Sequence, residues 1–87
     1  SIGTGLPSVN IKKEEILNGI NILELVVDSN LLSSKSEVRR MIKNNGLRIN
    51  NEVITDETKI IDQSNFVENN NLKVSHGKKQ HVIVKII

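Results

Sequence analysis

The sequence predicts a small α+β domain, two to three short helices packed on a small, mostly antiparallel sheet. Three observations predict it. A capped run at Ser34–Gly46 has helical apolar spacing, a period-two run follows it directly, and a second period-two hairpin closes the chain. Eighty-seven residues bury one modest core. Cysteine is absent, so no disulfide or thiolate metal site supplements that core.

Taken in order, residues 1–10 contain Gly3, Gly5 and Pro7 without an apolar period, the composition of a linker, and the domain is expected over 11–87. The start at Ser1 rather than Met favours a piece of something longer. Asn10 is expected to cap a short helix through about Asn18, with Ile11, Ile16, Leu17 and Ile20 on its apolar side and Gly19 as its stop. Asn21 and Glu24 form a capping-box pair ahead of Ile22, Leu25, Val26 and Ser29, which predicts a two-turn helix ending at Asn30.

Ser34 and Glu37 form a second such pair, and Val38, Met41 and Ile42 recur at i, i+3 and i+4. A helix from about Lys35 to Asn45 follows, with Gly46 as its stop. With those apolar residues on the core, Ser36, Arg39, Arg40 and Lys43 form one stripe on the opposite side. Beyond Gly46, Leu47 and Ile49 alternate with Arg48 and Asn50, and Asn50-Asn51 turns the chain toward Val53 and Ile54. Arg48 is then placed to point outward beside the helix end.

Lys59–Ile61 is expected as a further short strand and Phe66 as a core filler. The Asn tract 69–71 reads as a loop. Leu72 and Val74 on one arm, Val82, Val84 and Ile86 on the other, and the basic turn His76-Gly77-Lys78-Lys79 make the last hairpin.

Charge is blocked along the chain rather than mixed. Residues 35–48 carry Lys35, Arg39, Arg40, Lys43 and Arg48 against Glu37 alone; 73–85 carry Lys73, Lys78, Lys79 and Lys85 against no acid. An acidic block, 49–72, separates them. Two basic segments around an acidic one can fold into a single positive face, the footprint of a polyanion binder.

Asn and Ile are abundant and Lys outnumbers Arg nine to three, as an AT-rich genome would produce. Phe66 is the one aromatic residue, which excludes a base-stacking platform and leaves phosphate geometry and backbone shape as the means of recognition. His76 and His81, five apart and without cysteine, make a poor metal pair. Ser34-Lys35-Ser36 caps a helix, and no nucleophile set, paired-carboxylate site or phosphate-cradling Gly loop accompanies it. This domain is therefore expected to be non-catalytic and to need no cofactor. No run approaches the roughly 20 apolar residues of a membrane span, and no signal peptide is visible, so a cytoplasmic setting without membrane contact is expected.

The stretch from Leu25 to Ile54, LVVDSNLLSSKSEVRRMIKNNGLRINNEVI, resembles the RNA-binding domain named after ribosomal small-subunit protein four. That family has a leucine-rich helix, a Ser-(Lys/Arg)-Ser-Glu start, paired basic residues, an apolar-Ile-Lys step, a Gly and a short hairpin. The family's turn Gly is Asn51 here, and Asn tolerates positive φ. The GLPSVNI segment and the Gly77-Lys78-Lys79 turn are further similar to the C-terminal extension of bacterial tyrosyl-tRNA synthetases.

The resemblance implies a ribosomal-protein-four-like fold appended to a dimeric catalytic body. ATP and magnesium belong to that body, and the isolated domain is expected to be a monomer. The tRNA for tyrosine would be held by its variable arm and anticodon stem. Lys35, Ser36, Arg39, Arg40, Lys43, Arg48, Asn50, Lys78 and Lys79 are the expected RNA-binding residues. Two alternatives remain: the same module in a ribosomal-RNA pseudouridine synthase or other ribosome-associated protein, and a protein-interaction domain whose basic face meets an acidic partner.

Overall fold

The computed structural model describes residues 6–67 and 70–87. Its elements are β1 (Ser8–Ile11), α1 (Lys13–Ile16), β2 (Ile20–Asn21), α2 (Ile22–Asp28), α3 (Lys35–Lys43), β3 (Leu47–Ile49), β4 (Glu52–Val53), β5 (Ile60–Ile61), a 3-10 turn (Gln63–Asn65), β6 (Asn71–His76) and β7 (Gln80–Ile86). Five strands form one sheet in the order β1-β7-β6-β3-β4, and β2 pairs with β5 in a separate two-stranded ribbon. The five-stranded sheet is antiparallel except where β1 lies parallel to β7. This is the small α+β domain that the pattern of periods predicts.

The hairpins set the register. Asn50 and Asn51 both have positive φ, 51° and 72°, and join Ile49 to its partner Glu52. Two left-handed residues between paired strands make a type I′ turn, whose twist matches that of the strands. Asn51 thus performs the task of a turn glycine, as expected. Along β6–β7, Leu72 opposes Val84 and Val74 opposes Val82. With Leu47, Ile49, Val9 and Ile11 they form the inward face of the sheet.

Onto that face pack Ile16, Ile22, Leu25 and Val26 from α1 and α2, Val38 and Ile42 from α3, and Ile54, Ile61 and Phe66 from the connecting segments; all are buried. Phe66 is a core filler, and Met41 is partly buried at the margin, so the apolar side of α3 faces inward as its spacing requires.

The N-terminal part departs from expectation. Ser8–Asn10 are sheet, not linker, because β1 adds to β7 through the register Ser8 to Ile83 and Asn10 to Lys85. Asn10 is therefore a strand residue and caps nothing; the helix that follows is a single turn begun at Lys12, whose N–H donates to the Glu15 carboxylate at 3.1 Å. Residues 1–5 of the expected linker lie outside the described residues, as does Asn69. Asn71 opens β6 rather than belonging to a loop.

Asn21 caps α2 by accepting from the Leu23 N–H at 2.9 Å. At the far end Ser29 is buried, donates to the Val26 carbonyl at 2.6 Å and accepts from the Leu31 N–H at 3.3 Å. Its hydroxyl thus occupies the place of the outer backbone bond of a helix-ending motif, while the Asn30 N–H makes the inner one to Val27.

Gly19 has φ of +86°, and a Cβ there would collide with the Ile60 side chain. Gly19→Ala combines left-handed backbone strain with that overlap, so it should cost at least about 1–2 kcal/mol. In a domain of this size the thermal midpoint should fall by roughly 4–8 °C for each kcal/mol, read by a circular-dichroism melt.

Candidate nucleic-acid interface

The interface is built outward from α3. Ser34 caps it, accepting from the Glu37 N–H at 3.3 Å. The Glu37 carboxylate does not return to the Ser34 N–H as the box pattern predicts; it accepts from the hydroxyls of Ser33 and Ser34 instead. Those hydroxyls, Ser33 first, and then the Arg40 charge, hold the Glu37 carboxyl below its ordinary range. The helix start already carries an internal anion, which disfavours a phosphate there.

The other end stops at Asn45, not at Gly46. Asn45 has φ of 57°, its N–H donates to the Ile42 carbonyl at 3.0 Å, and the Gly46 N–H donates to the Met41 carbonyl at 2.9 Å. These two bonds are the Schellman pair, with Asn in the left-handed position that Gly usually fills. Gly46 lacks a side chain for a different reason: a Cβ would stand 2.5 Å from the Met41 sulfur.

Between these ends Ser36, Arg39, Arg40 and Lys43 are all exposed, over a rise of roughly 10 Å. Lys35 is exposed in the first turn. Arg39 approaches Glu57 at 3.9 Å with both side chains about half exposed (48% and 46%), a pair that water screens. Arg40 and Lys43 form no ion pair among the described residues, and they sit in the last turn, where the negative end of the helix dipole favours cations.

The fold brings the terminal turn to this helix. Leu47 pairs with His76, the Gly77 N–H donates to the Gly46 carbonyl at 3.1 Å, and the Arg48 Nη2 donates to the Gly77 carbonyl at 2.5 Å. Exposed Lys78 and Lys79 therefore stand beside the C-terminal end of α3. No sequence period links positions this far apart; the β3–β6 register does.

Two of the expected residues also make bonds within the domain. Arg48 is half-buried, bonded to Gly77, and its Nε is buried with no partner. Asn50 uses both ends of its amide: Oδ1 accepts from the Lys73 N–H at 3.0 Å and Nδ2 donates to the Asn65 carbonyl at 2.8 Å, while its own N–H donates to the Lys73 carbonyl. It extends the β3–β6 ladder beyond Ile49 and ties the hairpin to the 3-10 turn. Polar spacing alone marks Asn50 as outward; the bonds that turn it inward join positions remote in the chain.

His81 Nδ1 lies 2.7 Å from the Ser75 Oγ, its cross-strand neighbour. Among the described residues no group of metal-ligating side chains gathers, and no helix is long and apolar enough to cross a membrane.

Acidic groups collect on the α1–α2 side. The Asp28 carboxyl is raised above its ordinary range, by burial first, then by Glu24 and Glu15, with Lys35 opposing.

A small α+β scaffold that presents one rigid basic helix and a lysine turn beside it has the electrostatic footprint of a polyanion binder. The sequence comparisons supply the particular family. The description "Tyrosine--tRNA ligase SYY-like C-terminal domain" matches residues 1–84, and the chain belongs to that family.

It is 45% identical over 87 residues to the Tyrosine--tRNA ligase of Pelagibacter ubique (strain HTCC1062), covering all of this chain and 21% of the relative. It is 38% identical over 85 residues to that of Rickettsia massiliae (strain Mtu5), covering 98% of this chain and 21% of the relative. Against the ligase of Bartonella quintana (strain Toulouse) the identity is 36% over 85 residues, 98% of this chain and 20% of the relative. The chain thus spans about a fifth of the length of these curated relatives.

Asn50→Ala strands the Lys73 N–H and the Asn65 carbonyl and leaves a left-handed residue without its local bonds. A loss on the order of 2 kcal/mol is expected, measured by urea unfolding. Asp28→Asn should act in the opposite direction. Because the folded-state carboxyl titrates above its unfolded range, its ionised form opposes folding, and removing the charge raises stability at neutral pH. As pH falls through that raised range the native carboxyl protonates and the difference between the two chains should close, which urea titrations at neutral and acid pH will read.

Proposed function

We propose that this chain is the RNA-binding C-terminal domain of a tyrosyl-tRNA synthetase and that it holds the tRNA for tyrosine, by its variable arm and anticodon stem, during aminoacylation. The observation that carries the reading is the exposed stripe Ser36, Arg39, Arg40 and Lys43, continued by Lys78 and Lys79 across the Gly46–Gly77 bond. Guanidinium forks, ammonium groups and a hydroxyl fixed on a helix suit the phosphates of a folded RNA. Lys35 flanks the same surface.

Ligation of tyrosine, with its ATP and magnesium, belongs in this reading to a catalytic body elsewhere in the synthetase, through which the whole enzyme dimerises in the cytoplasm. The domain's contribution is affinity and orientation: it fixes the tRNA body so that the acceptor end is delivered to a distant site.

Replacing Arg39, Arg40 and Lys43 together with Gln should weaken tRNA binding and leave the fold intact, since all three face away from the core. Each lost phosphate contact should make the log-log salt dependence shallower by roughly 0.7–0.9. Unaltered affinity and slope would remove the α3 face from consideration. Binding to the tRNA for tyrosine should also exceed that to the same tRNA with a shortened variable arm and to a ribosomal-RNA hairpin. Equal binding of all three would leave a general RNA binder and end the synthetase-specific reading.

A further inference from the structure

Gly77 is the point at which the terminal turn is attached to the rest of the surface. Both of its backbone groups are used: its N–H donates to the Gly46 carbonyl at 3.1 Å, and its carbonyl accepts from the Arg48 Nη2 at 2.5 Å. Otherwise the turn stands clear. A Cβ at Gly77 would meet nothing within 4 Å, and Gly77, Lys78 and Lys79 are all exposed. Arg48 itself is half-buried, with its Nε closed off from solvent and without an acceptor. The Nε–Nη edge is thus not offered as a fork to a phosphate, because Nε is closed off and Nη2 donates to the backbone carbonyl of the turn.

We infer that Arg48 is a positioning residue for RNA binding: it holds the Gly77–Lys79 turn against the α3–β3 junction, so that Lys78 and Lys79 engage the same RNA backbone as the α3 stripe. The inference rests on the proposed RNA-binding role. Rigid attachment matters because two lysines on an exposed three-residue turn lose conformational freedom when they bind, and a turn already fixed in place loses less. The Gly46–Gly77 bond alone tethers one edge of the turn; the Arg48 bond fixes the plane of the next peptide, the one that leads into Lys78.

The test is a double-mutant cycle on a transcript of the tRNA for tyrosine, with affinity measured across a salt series and exchange of the Gly77 amide followed by NMR. Arg48→Gln should speed that exchange and weaken binding. In the background of Lys78→Gln with Lys79→Gln it should weaken binding no further, within about twofold. Combined instead with the Arg39, Arg40 and Lys43 changes, it should retain its full effect.

A direct phosphate contact predicts otherwise. Arg48→Gln would then lower affinity by the same factor in both backgrounds and make the salt slope shallower by a further 0.7–0.9 or so, and that result overturns the inference. Should the Gln variant unfold, Arg48→Met keeps the stem length, removes the donor and enters the same cycle. If the α3 changes weaken binding while the Arg48 and Lys78–Lys79 changes do nothing, this inference fails and the RNA-binding role stands. If none of the three sets matters, the role itself fails.

Discussion

At Gly46 the basic helix becomes a strand, and the peptide groups on both sides of that residue are bonded outside the strand ladder. Its N–H closes the end of α3 on Met41, and its carbonyl receives the Gly77 N–H from the far hairpin. Helix α3, strand β3 and the terminal turn are fixed to one another through this one residue. Because the Met41 side chain lies where a Cβ would be, no other amino acid fits without displacing it. The direction of the α3 axis relative to the sheet follows from this junction and from Val38 and Ile42 below it. The position of every cation on the exposed stripe then follows from the axis.

Charge is sorted by the same geometry. Glu15, Glu24 and Asp28 lie on the α1–α2 side, close enough to one another to raise the Asp28 carboxyl, and the Lys35 charge opposes that rise. From Lys35 onward the exposed positions of α3 carry cations or a hydroxyl, and Glu37 is turned back onto the hydroxyls of Ser33 and Ser34. A polyanion approaching the domain meets a positive and a negative side rather than an average charge of +2. Such a distribution orients an encounter before any contact forms.

The elements legible in the sequence were those whose signals are local. The apolar spacing of α3, the turn at Asn50-Asn51 and the alternation in β6–β7 each need only neighbours within a few residues to be read, and each is found where expected. Ser8–Ile11 carried no such signal. Its strand state depends on β7, more than 70 residues away, and a short edge segment with Pro7 before it has the composition of a linker until that partner is in place. The candidate site divides in the same way. Ser36, Arg39, Arg40 and Lys43 are outward because helix geometry makes them so, whereas Arg48 and Asn50 are bonded to Gly77, Lys73 and Asn65, partners that no spacing reveals.

The abundance of asparagine shows how a compositional bias can serve the backbone. Asn30, Asn45, Asn50, Asn51 and Asn70 all have positive φ. They end α2 and α3, turn the β3–β4 hairpin and precede β6, positions at which glycine is the usual choice. Asn enters the left-handed region at lower cost than other residues with a side chain, and it leaves the unfolded chain with fewer conformations than Gly would. At Asn50 the side chain does more, supplying a carbonyl and an amide where the strand has run out of backbone. Glycine there would keep the turn and lose the tie to Lys73 and Asn65. An asparagine-rich composition therefore lets this small core close its turns on residues that can also bond, as Asn50 does in tying the β3–β4 hairpin to Lys73 and Asn65.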